Sequence, residues 1–306
     1  MIDIDYYLNK LSKDKFVIFL FHGVIDKADS KVRNYTKKHL LQEEFKELIR
    51  QLKNTGHPLS MEDICNLNQT KQPPPPNSYA ITFDDGFENN LTLAAPILEH
   101  FSTPGCFYVS TGLIENNEMT WIDKIEYCLE VIDNANIKLP WDEEYTYVFN
   151  SKTKITFLER LRNKVKANQK FISNDEIVNL IFNQCDQPII NDSSHILDQK
   201  MSWDQVKRLN SNSLFTVAGH SHSHVSLASL NQLDLELEIS KSLELLKNNA
   251  DIETKHYSYP EGQEIDYSEN VIKCLKDNNI LCCPTAIDGM NNENTDLFHL
   301  KRVMVH

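Results

Sequence analysis

Two adjacent aspartates, Asp84 and Asp85, stand at the end of an apolar run in the segment ITFDDGFENN (81–90). Consecutive strand side chains point to opposite faces, but the chain already turns where a strand ends, so both carboxylates can face one open site. Two like charges at one site repel unless a cation or a shared proton lies between them. The alternative is an ordinary turn, since Asp and Gly are common turn residues.

Two histidines, His220 and His224, are four residues apart in the segment GHSHSHVSL (219–227). On a helical turn this spacing projects both imidazoles to one face, which suits two ligands of one divalent ion. A polar loop is the alternative for the two histidines alone. Together with Asp85 they form a set of two imidazoles and one carboxylate that leaves coordination positions for water and substrate.

This set of side chains predicts hydrolysis assisted by a metal ion. A bound divalent cation lowers the pKa of its water towards about 7 and polarises a carbonyl oxygen. Asp84, beside the predicted ligand Asp85, can then accept the proton of the water as general base. We expect zinc, although the same ligands also suit cobalt, nickel or iron.

The elements that must position these residues are short apolar runs separated by helical patterns. Such alternation predicts a parallel α/β fold, and seven or eight units predict a closed or nearly closed, TIM-like barrel. The predicted strands are FVIFLF (16–21), YAITFDD (79–85), GCFYVS (105–110), LFTVAGH (214–220), KHYSYP (255–260), LCCPTA (281–286) and HLKRVMV (299–305).

Polar residues gather at the ends of four of these runs, which is where α/β barrels carry their reactive groups. Independent turns would not be expected to produce this pattern. The residues are His22, the pair Asp84 and Asp85, His220, and the pair Tyr259 and Pro260.

The stretch 114–200 interrupts the rhythm of strands and helices. We interpret it as a helical insertion, or lid, between the third and fourth strands of a single domain that spans 1–306. Its helical patterns are Trp121–Ile132, Phe157–Lys166 and Asp175–Phe182.

Helical spacing also predicts two helices outside the insertion. Gln42–Lys53 has four apolar residues on one face and Gly56 just beyond its end. Leu233–Lys247 is the second helix. Its predicted buried face carries Leu233, Leu237, Leu243 and Leu246.

Composition and charge argue against several classes of function. The chain of 306 residues has a net charge of −13, which disfavours broad binding to nucleic acid or to anionic membranes. No run approaches the roughly 20 apolar residues of a membrane span, and the run 16–21 is too short for the core of a signal peptide. Seven cysteines without framework spacing predict buried, reduced thiols. We therefore expect a cytoplasmic protein.

Three motifs in order, ITFDDGF, GHSHSH and YSYPEG, resemble the signatures of the polysaccharide deacetylase (NodB homology) family, carbohydrate esterase family four. The similarity covers roughly 16–113 and 200–305, and 114–200 matches loosely the long lid of some members. Further segments that resemble the family are FLFHGV, AAPILEHFSTPGCFYVSTG, MSWDQVKRL and CPTAIDGMNNENTDLFHLKRVMV.

The resemblance implies a distorted (β/α)7 barrel and metal-dependent hydrolysis of the acetamide of an N-acetylated amino sugar. It implies that Asp84 is the base. The metal ligands that it implies are Asp85, His220 and His224.

The motif around Tyr259 and Pro260 resembles the YPxG branch of the family, and we expect both residues to bind substrate. There the resemblance implies that the backbone N–H of Glu261 helps to hold the oxyanion. The arginine that tunes the base in many members has no counterpart in this motif, where Ser258 precedes the Tyr-Pro pair. No clear LxH motif supplies the leaving-group acid. In the YPxG branch the first-strand histidine does so, which makes His22 the candidate, with a hydrogen-bonded strand-end histidine as the alternative.

Two other functions stay open at the level of sequence. A glycan-binding or scaffold protein would explain the missing arginine and the unusual Glu261, and a related amidase would cleave a non-sugar amide. Aromatic platforms for sugar rings would discriminate; Trp203, Trp121 and Trp141 are candidates, although tryptophan is more often a packing residue. The expected substrate is an N-acetylated sugar, in a precursor rather than a finished polymer, and the sequence determines neither the sugar nor the oligomeric state.

Overall fold

The computed structural model describes residues 2–141, 146–148, 153–168 and 172–306. Its strands are β1 (Val17–Phe21), β2 (Gly23–Ile25), β3 (His39–Leu41), β4 (His57–Pro58), β5 (Ser78–Phe83), β6 (Gly105–Val109), β7 (Asn136–Lys138), β8 (Thr146–Val148), β9 (Phe215–Gly219) and β10 (Val303–Met304). Its α-helices are α1 (Ile4–Leu8), α2 (Gln42–Thr55), α3 (Met61–Thr70), α4 (Ala95–His100), α5 (Thr111–Asn116), α6 (Trp121–Val131), α7 (Lys154–Asn168), α8 (Asn174–Gln184), α9 (Trp203–Asn210), α10 (Gln232–Ala250) and α11 (Glu269–Asp277).

A parallel sheet forms the centre of the molecule, in the order β10-β1-β5-β6-β9, with the short β4 paired to the start of β5. Neighbouring strands end at nearly the same level, since Phe21 pairs with Phe83 and Phe83 with Phe107. Residues that follow the strands therefore meet at one edge of the sheet.

Two further extended segments carry the sheet towards closure. Isolated parallel bridges join Gly219 to Tyr257 and His256 to Cys282. Backbone hydrogen bonds lead from the second segment to Leu300, and β10 then pairs with β1. The arrangement is the distorted (β/α)7 barrel with a helical insertion that was predicted. Residues 255–260 and 281–286 were predicted as strands and form two irregular segments of the barrel wall, which we call the irregular staves.

Alternate residues of the strands build two different cores. On the helix side, the Phe83 ring stacks on Phe21 (5.3 Å between centroids) and on Phe107 (4.9 Å), and Phe45 of α2 packs edge-on against Phe21. The opposite face lines the barrel interior with a second cluster that includes Ile18, Ala80 and Tyr108, and with the buried Thr82. This interior leads towards the open end of the barrel.

The insertion lies between β6 and β9, the third and fourth main strands along the chain. Its helices α6, α7 and α8 enclose a hydrophobic cluster of their own, to which Val32 contributes. Glu130 of α6 accepts hydrogen bonds from the backbone N–H groups of residues 31–33. Arg33 is paired with the buried Asp198, so the loop after β2 ties the insertion to the barrel.

The predicted buried face of α10 was wrong for two leucines. Leu233 and Leu237 are 68% and 59% exposed, whereas Leu235, Ile239 and Leu246 are buried. At 3.6 residues per turn, Leu246 lies on nearly the opposite side of the helix from Leu233. The helix packs against α5, α9 and α11, and these neighbours select the face.

All seven cysteines are buried and none forms a disulfide, as the sequence predicted. Among the described residues, no helix has the length and apolar character needed to cross a bilayer.

Candidate metal and catalytic site

The two aspartates leave β5 at the C-terminal edge of the sheet. The N–H of Asp84 still donates to Phe21 O of β1 (3.0 Å), whereas Asp85 has a φ of +74° and Gly86 one of +79°. This left-handed turn breaks the alternation of the strand, so both acids line the same cavity. The conformation costs a non-glycine residue roughly 1–2 kcal/mol, and Asp adopts it more readily than most residues.

His220 and His224 follow β9 in a bend, and the predicted helical turn was wrong. Ser221 and His224 have left-handed φ values of +61° and +55°, and the His224 N–H donates to Ser221 Oγ (2.9 Å). The two imidazole centroids lie 5.1 Å apart. His222 points elsewhere, as expected, with Nδ1 3.0 Å from Thr111 Oγ1.

The three predicted metal ligands converge. Asp85 Oδ1 lies 3.1 Å from His224 Nε2 and 3.6 Å from His220 Nε2, and one ligand atom from each residue lies within 4.8 Å of the others. Within the described ranges, the buried Asp85 Oδ1 has no hydrogen bond of good geometry, which is costly for a carboxylate. A cation would satisfy this oxygen, so the set fits a divalent ion.

Ser258 orients His220 from the irregular stave beside β9. Its Oγ lies 2.7 Å, and its carbonyl oxygen 3.0 Å, from His220 Nδ1. Because Nδ1 is engaged there, Nε2 is the nitrogen that faces Asp85. Such contacts on the far side of a ligand fix ring orientation and tautomer.

The pKa values of Asp85, His224 and His220 are shifted by burial and by the charges of their neighbours. Burial would raise the pKa of Asp85, but the His224 imidazole holds it well below its usual range. Burial would lower the pKa of His224, and the Asp85 carboxylate instead raises it to about 9. Burial lowers the pKa of His220 to about 4. A positive charge is therefore favoured next to Asp85.

Arg302, which the sequence analysis missed, holds Asp84 with a bidentate ion pair. Its Nη1 and Nη2 each lie 2.8 Å from a carboxylate oxygen of Asp84, and both side chains are buried. Burial would raise the pKa of Asp84, but the guanidinium and the His220 imidazole lower it below its usual range. The sequence held one indication of this pair. In the predicted strand 299–305, Leu300 and Arg302 are two residues apart and share the inner face, where a buried charge needs a partner.

His22 lies at the end of β1 and lines the same cavity. Burial lowers its pKa against the opposing charges of Asp85 and Asp84. Among the described residues its buried Nδ1 has no hydrogen-bond partner, and its carbonyl oxygen accepts from Asn90 Nδ2 (2.8 Å). His22 thus lines the cavity while its backbone is held by Asn90.

The cavity above these residues has a volume of about 170 Å³. The insertion contributes Trp121 and Arg162 to its lining, and the loop before β3 contributes Lys38. Burial tends to lower the pKa of Lys38, but the carboxylate of Asp123 raises it. The insertion therefore brings an aromatic ring and a guanidinium to the site, and the loop before β3 adds an ammonium group.

Glu261 lies in the same cavity, in a left-handed turn with a φ of +62°. Tyr259, two residues earlier, is fully buried and donates its hydroxyl to Phe298 O (3.2 Å). Pro260 is buried between them. Within the described structure, neither Tyr259 nor Pro260 belongs to the lining of the cavity, and their contact with substrate stays a prediction.

Trp203, at the start of α9, also lies outside the lining of the cavity in the part of the chain described. Its indole Nε1 donates to Glu115 Oε2 (2.5 Å), and its ring packs against the helix-side core. Its predicted role in substrate binding is untested.

Residues 71–282 match the family model for polysaccharide deacetylase. Because this match covers more than half of the chain, the chain belongs to the polysaccharide deacetylase family. It is accordingly a hydrolase of carbon–nitrogen bonds other than peptide bonds.

Solved structures share the fold at low sequence identity. The deacetylase PplD of Streptococcus pyogenes, in complex with acetate, is 15% identical with a TM-score of 0.61, covering 95% of this chain and 92% of that one. IcaB from Ammonifex degensii is 15% identical with a TM-score of 0.59, covering 97% and 94%. The BpsB deacetylase domain from Bordetella bronchiseptica is 17% identical with a TM-score of 0.56, covering 95% and 96%. No curated protein matches the sequence.

Proposed function

We propose that the protein hydrolyses the acetamide of an N-acetylated amino sugar, with Asp84 as general base. The observation that carries this proposal is the position of the buried Asp84 carboxylate. It lies between the Arg302 guanidinium and the Asp85–His220–His224 set, at the floor of a cavity that the insertion covers.

Asp85, His220 and His224 would hold a divalent ion, and zinc is the metal that we propose. Two imidazoles and a carboxylate with further positions open are typical of catalytic zinc sites, and cobalt, nickel or iron would also suit them. When bound, the ion polarises the acetamide carbonyl and acidifies a water molecule.

The chain's own residues handle the protons. Asp84 is kept ionised by Arg302 and accepts the proton of the attacking water. The backbone N–H of Glu261 donates to the oxyanion that forms on the acetamide carbon. His22 delivers a proton to the departing nitrogen, so the C–N bond breaks to give acetate and a free amine.

The size and lining of the cavity favour a single sugar unit. Its volume of about 170 Å³ is below the roughly 300–1,000 Å³ of typical ligand pockets. Trp121 offers an aromatic face to a sugar ring, and we infer a terminal unit of a short glycan or a precursor as substrate. Substrate binding by Tyr259, Pro260 and Trp203 stays a prediction, as do the YPxG branch and the cytoplasmic location.

The structure removes one of the reasons for considering a scaffold protein. It was based partly on the absence of an arginine from the motif around Ser258, yet Arg302 places a guanidinium on Asp84 from the last run of the chain. An intact base and ligand set favours an enzyme over a binding protein.

The first test is acetate release from free, nucleotide-linked and polymeric N-acetylhexosamines by wild type and Asp85→Ala. We expect release that depends on Asp85, with the short substrates preferred. If metal is present and none of these substrates releases acetate, the proposed substrate class is wrong and the non-sugar amidase becomes the leading function.

Asp84→Asn tests the assignment of the base. We expect it to keep its metal and to lose turnover by about 10²–10⁴-fold, because a positioned base contributes that much. Metal content is measured by mass spectrometry of the digested protein, and the exposed Asp204→Asn serves as the matched control. Undiminished turnover in Asp84→Asn would contradict the assignment.

A further inference from the structure

A second cluster of potential ligands lies inside the barrel, away from the site described above. Cys65, His256 and Cys282 each offer a ligand atom, and these atoms lie within 4.8 Å of one another. The residues are 1%, 4% and 0% exposed. Two thiols and an imidazole are a different donor set from the carboxylate and two imidazoles of the catalytic site.

The cluster is at the other end of the irregular staves. Ser258, which orients the metal-ligating His220, follows His256 by two residues, so both side chains point into the barrel. His256 is the earlier residue and therefore lies deeper, towards the N-terminal ends of the strands. The parallel bridge between His256 and Cys282 brings two of the three ligands together.

Cys65 reaches the cluster from α3, which also supplies Glu62. The two residues are three apart on one helix and share a face. Glu62 Oε2 lies 3.3 Å from His256 Nε2, and the buried His256 Nδ1 has no hydrogen-bond partner in the part of the chain that the structure describes. A carboxylate beside the imidazole of a metal ligand fixes the orientation of the ring and raises its basicity.

We propose that Cys65, His256 and Cys282 bind a soft divalent metal ion, most simply zinc, at a site independent of the catalytic one. Thiolate and imidazole ligands select zinc among the common divalent ions. Two thiolates, a neutral imidazole and one divalent cation sum to zero charge, so the complex can be buried at low electrostatic cost. The ion would hold α3 to the two irregular staves, which pair with their neighbours only through isolated bridges in the described structure.

The chain contains a natural control for this proposal. Cys128 and Cys185 are a second buried pair, within the core of the insertion, and they contact each other. Among the described residues, this pair is not part of a potential metal cluster. Substitutions there remove a buried thiol without removing a predicted ligand.

The test is the absorption spectrum of the protein reconstituted with cobalt(II). Thiolate ligands of cobalt give a charge-transfer band in the near ultraviolet, and the catalytic ligands contain no sulfur. We expect the band in wild type, in Asp85→Ala and in Cys128→Ser. We expect its loss in Cys65→Ser and in His256→Gln.

Zinc content gives a second measurement that needs no substituted cysteine. Asp85→Ala, whose catalytic site is impaired, should retain about one zinc ion per chain after dialysis, because cysteine thiolates and a histidine nitrogen are ligands that zinc prefers. This result would stand even if acetate release failed on every substrate, so the two proposals are tested separately. Absence of the cobalt band in wild type, or its persistence in Cys65→Ser, would overturn the site. A Cys65–Cys282 disulfide found by mass spectrometry in the unreduced digest of the native protein would also overturn it.

Discussion

At the scale of single residues, the site works by opposing charges around two neighbouring carboxylates. Asp84 is held by Arg302, while Asp85 faces two imidazoles. The left-handed backbone at Asp85 is what turns both acids into one cavity. The proposed base and the proposed metal ligand are thus adjacent in sequence and still have different partners.

Arg302→Met should move the acidic limb of the pH profile. In the wild type the guanidinium lowers the pKa of Asp84, so the base is ionised at lower pH. Without it, burial dominates and the pKa rises. We expect the acidic limb of kcat/KM to shift upwards by about one pH unit or more, within the range that an arginine neighbour produces.

The pH profile of Arg302→Met is compared with that of Arg50→Met, an exposed arginine. An unchanged limb in Arg302→Met would show that the ion pair does not tune the base. The same ion pair contributes to folding: because the pKa of Asp84 is depressed, its stabilisation is present above the pKa of the unfolded chain and is lost as pH falls through the folded value.

His22→Gln should reduce deacetylation by about 10²–10⁴-fold, the usual contribution of a positioned acid. The loss should be much smaller for an aryl acetate ester, because a phenolate leaves without first gaining a proton. Rates on both substrates are measured at matched metal content. Equal losses on amide and ester would support the alternative, a histidine that only supports the end of β1.

At the scale of elements, the last staves of the barrel differ most from the pattern expected of them. Residues 255–260 and 281–286 read as buried strands, yet they pair only through isolated bridges in the described structure. Their irregular course places Ser258 and Glu261 at the site. In a regular strand, side chains three residues apart point to opposite faces. The left-handed turn at Glu261 breaks this alternation, so both residues reach the site.

Helix α10 allows a matched test of which face is buried. Leu246→Ala should lower the free energy of unfolding by about 2–5 kcal/mol, because it leaves a cavity in the core. Leu233→Ala, the same substitution on the exposed side, should stay within about 0.5 kcal/mol of wild type. Both values come from urea unfolding followed by circular dichroism. Equal effects of the two substitutions would contradict the packing of α10.

At the scale of the whole molecule, the insertion supplies the roof of the cavity and the barrel supplies its floor. The two parts meet at the loop after β2, where Glu130 accepts backbone N–H groups and Arg33 pairs with Asp198. Burial of the Arg33–Asp198 pair makes the loss of one partner costly. Under the proposed function, the barrel would carry the chemistry and the insertion would contribute to the choice of substrate.

Asp198→Asn should destabilise the protein by about 3–5 kcal/mol, since it leaves the Arg33 guanidinium buried without a counter-charge. Asp192→Asn, an exposed position in the same loop, is the control. Thermal unfolding measures both variants. We also expect KM to rise more than kcat falls in Asp198→Asn, because the insertion above the cavity is displaced while Asp84 is not. An unchanged melting temperature would show that the Arg33–Asp198 pair does not hold the insertion to the barrel.

Sequence patterns alone predicted the class of fold, which the structure confirms, and they also picked out the candidate metal ligands. Apolar runs ending in Asp84, Asp85 and His220 are local patterns, and local patterns are set by strand and helix periodicity. The spacing of His220 and His224 predicted a shared face correctly, although a bend rather than a helical turn produces it.

The distant residues that complete the two proposed sites could be found only in the folded structure. Arg302 reaches Asp84 across 218 positions, Ser258 reaches His220 across 38, and Cys65 meets Cys282 at the far end of the barrel. Periodicity reports which face a residue occupies and not which residue it will meet there. Barrel closure makes those contacts, because it brings the last run of the chain beside the first.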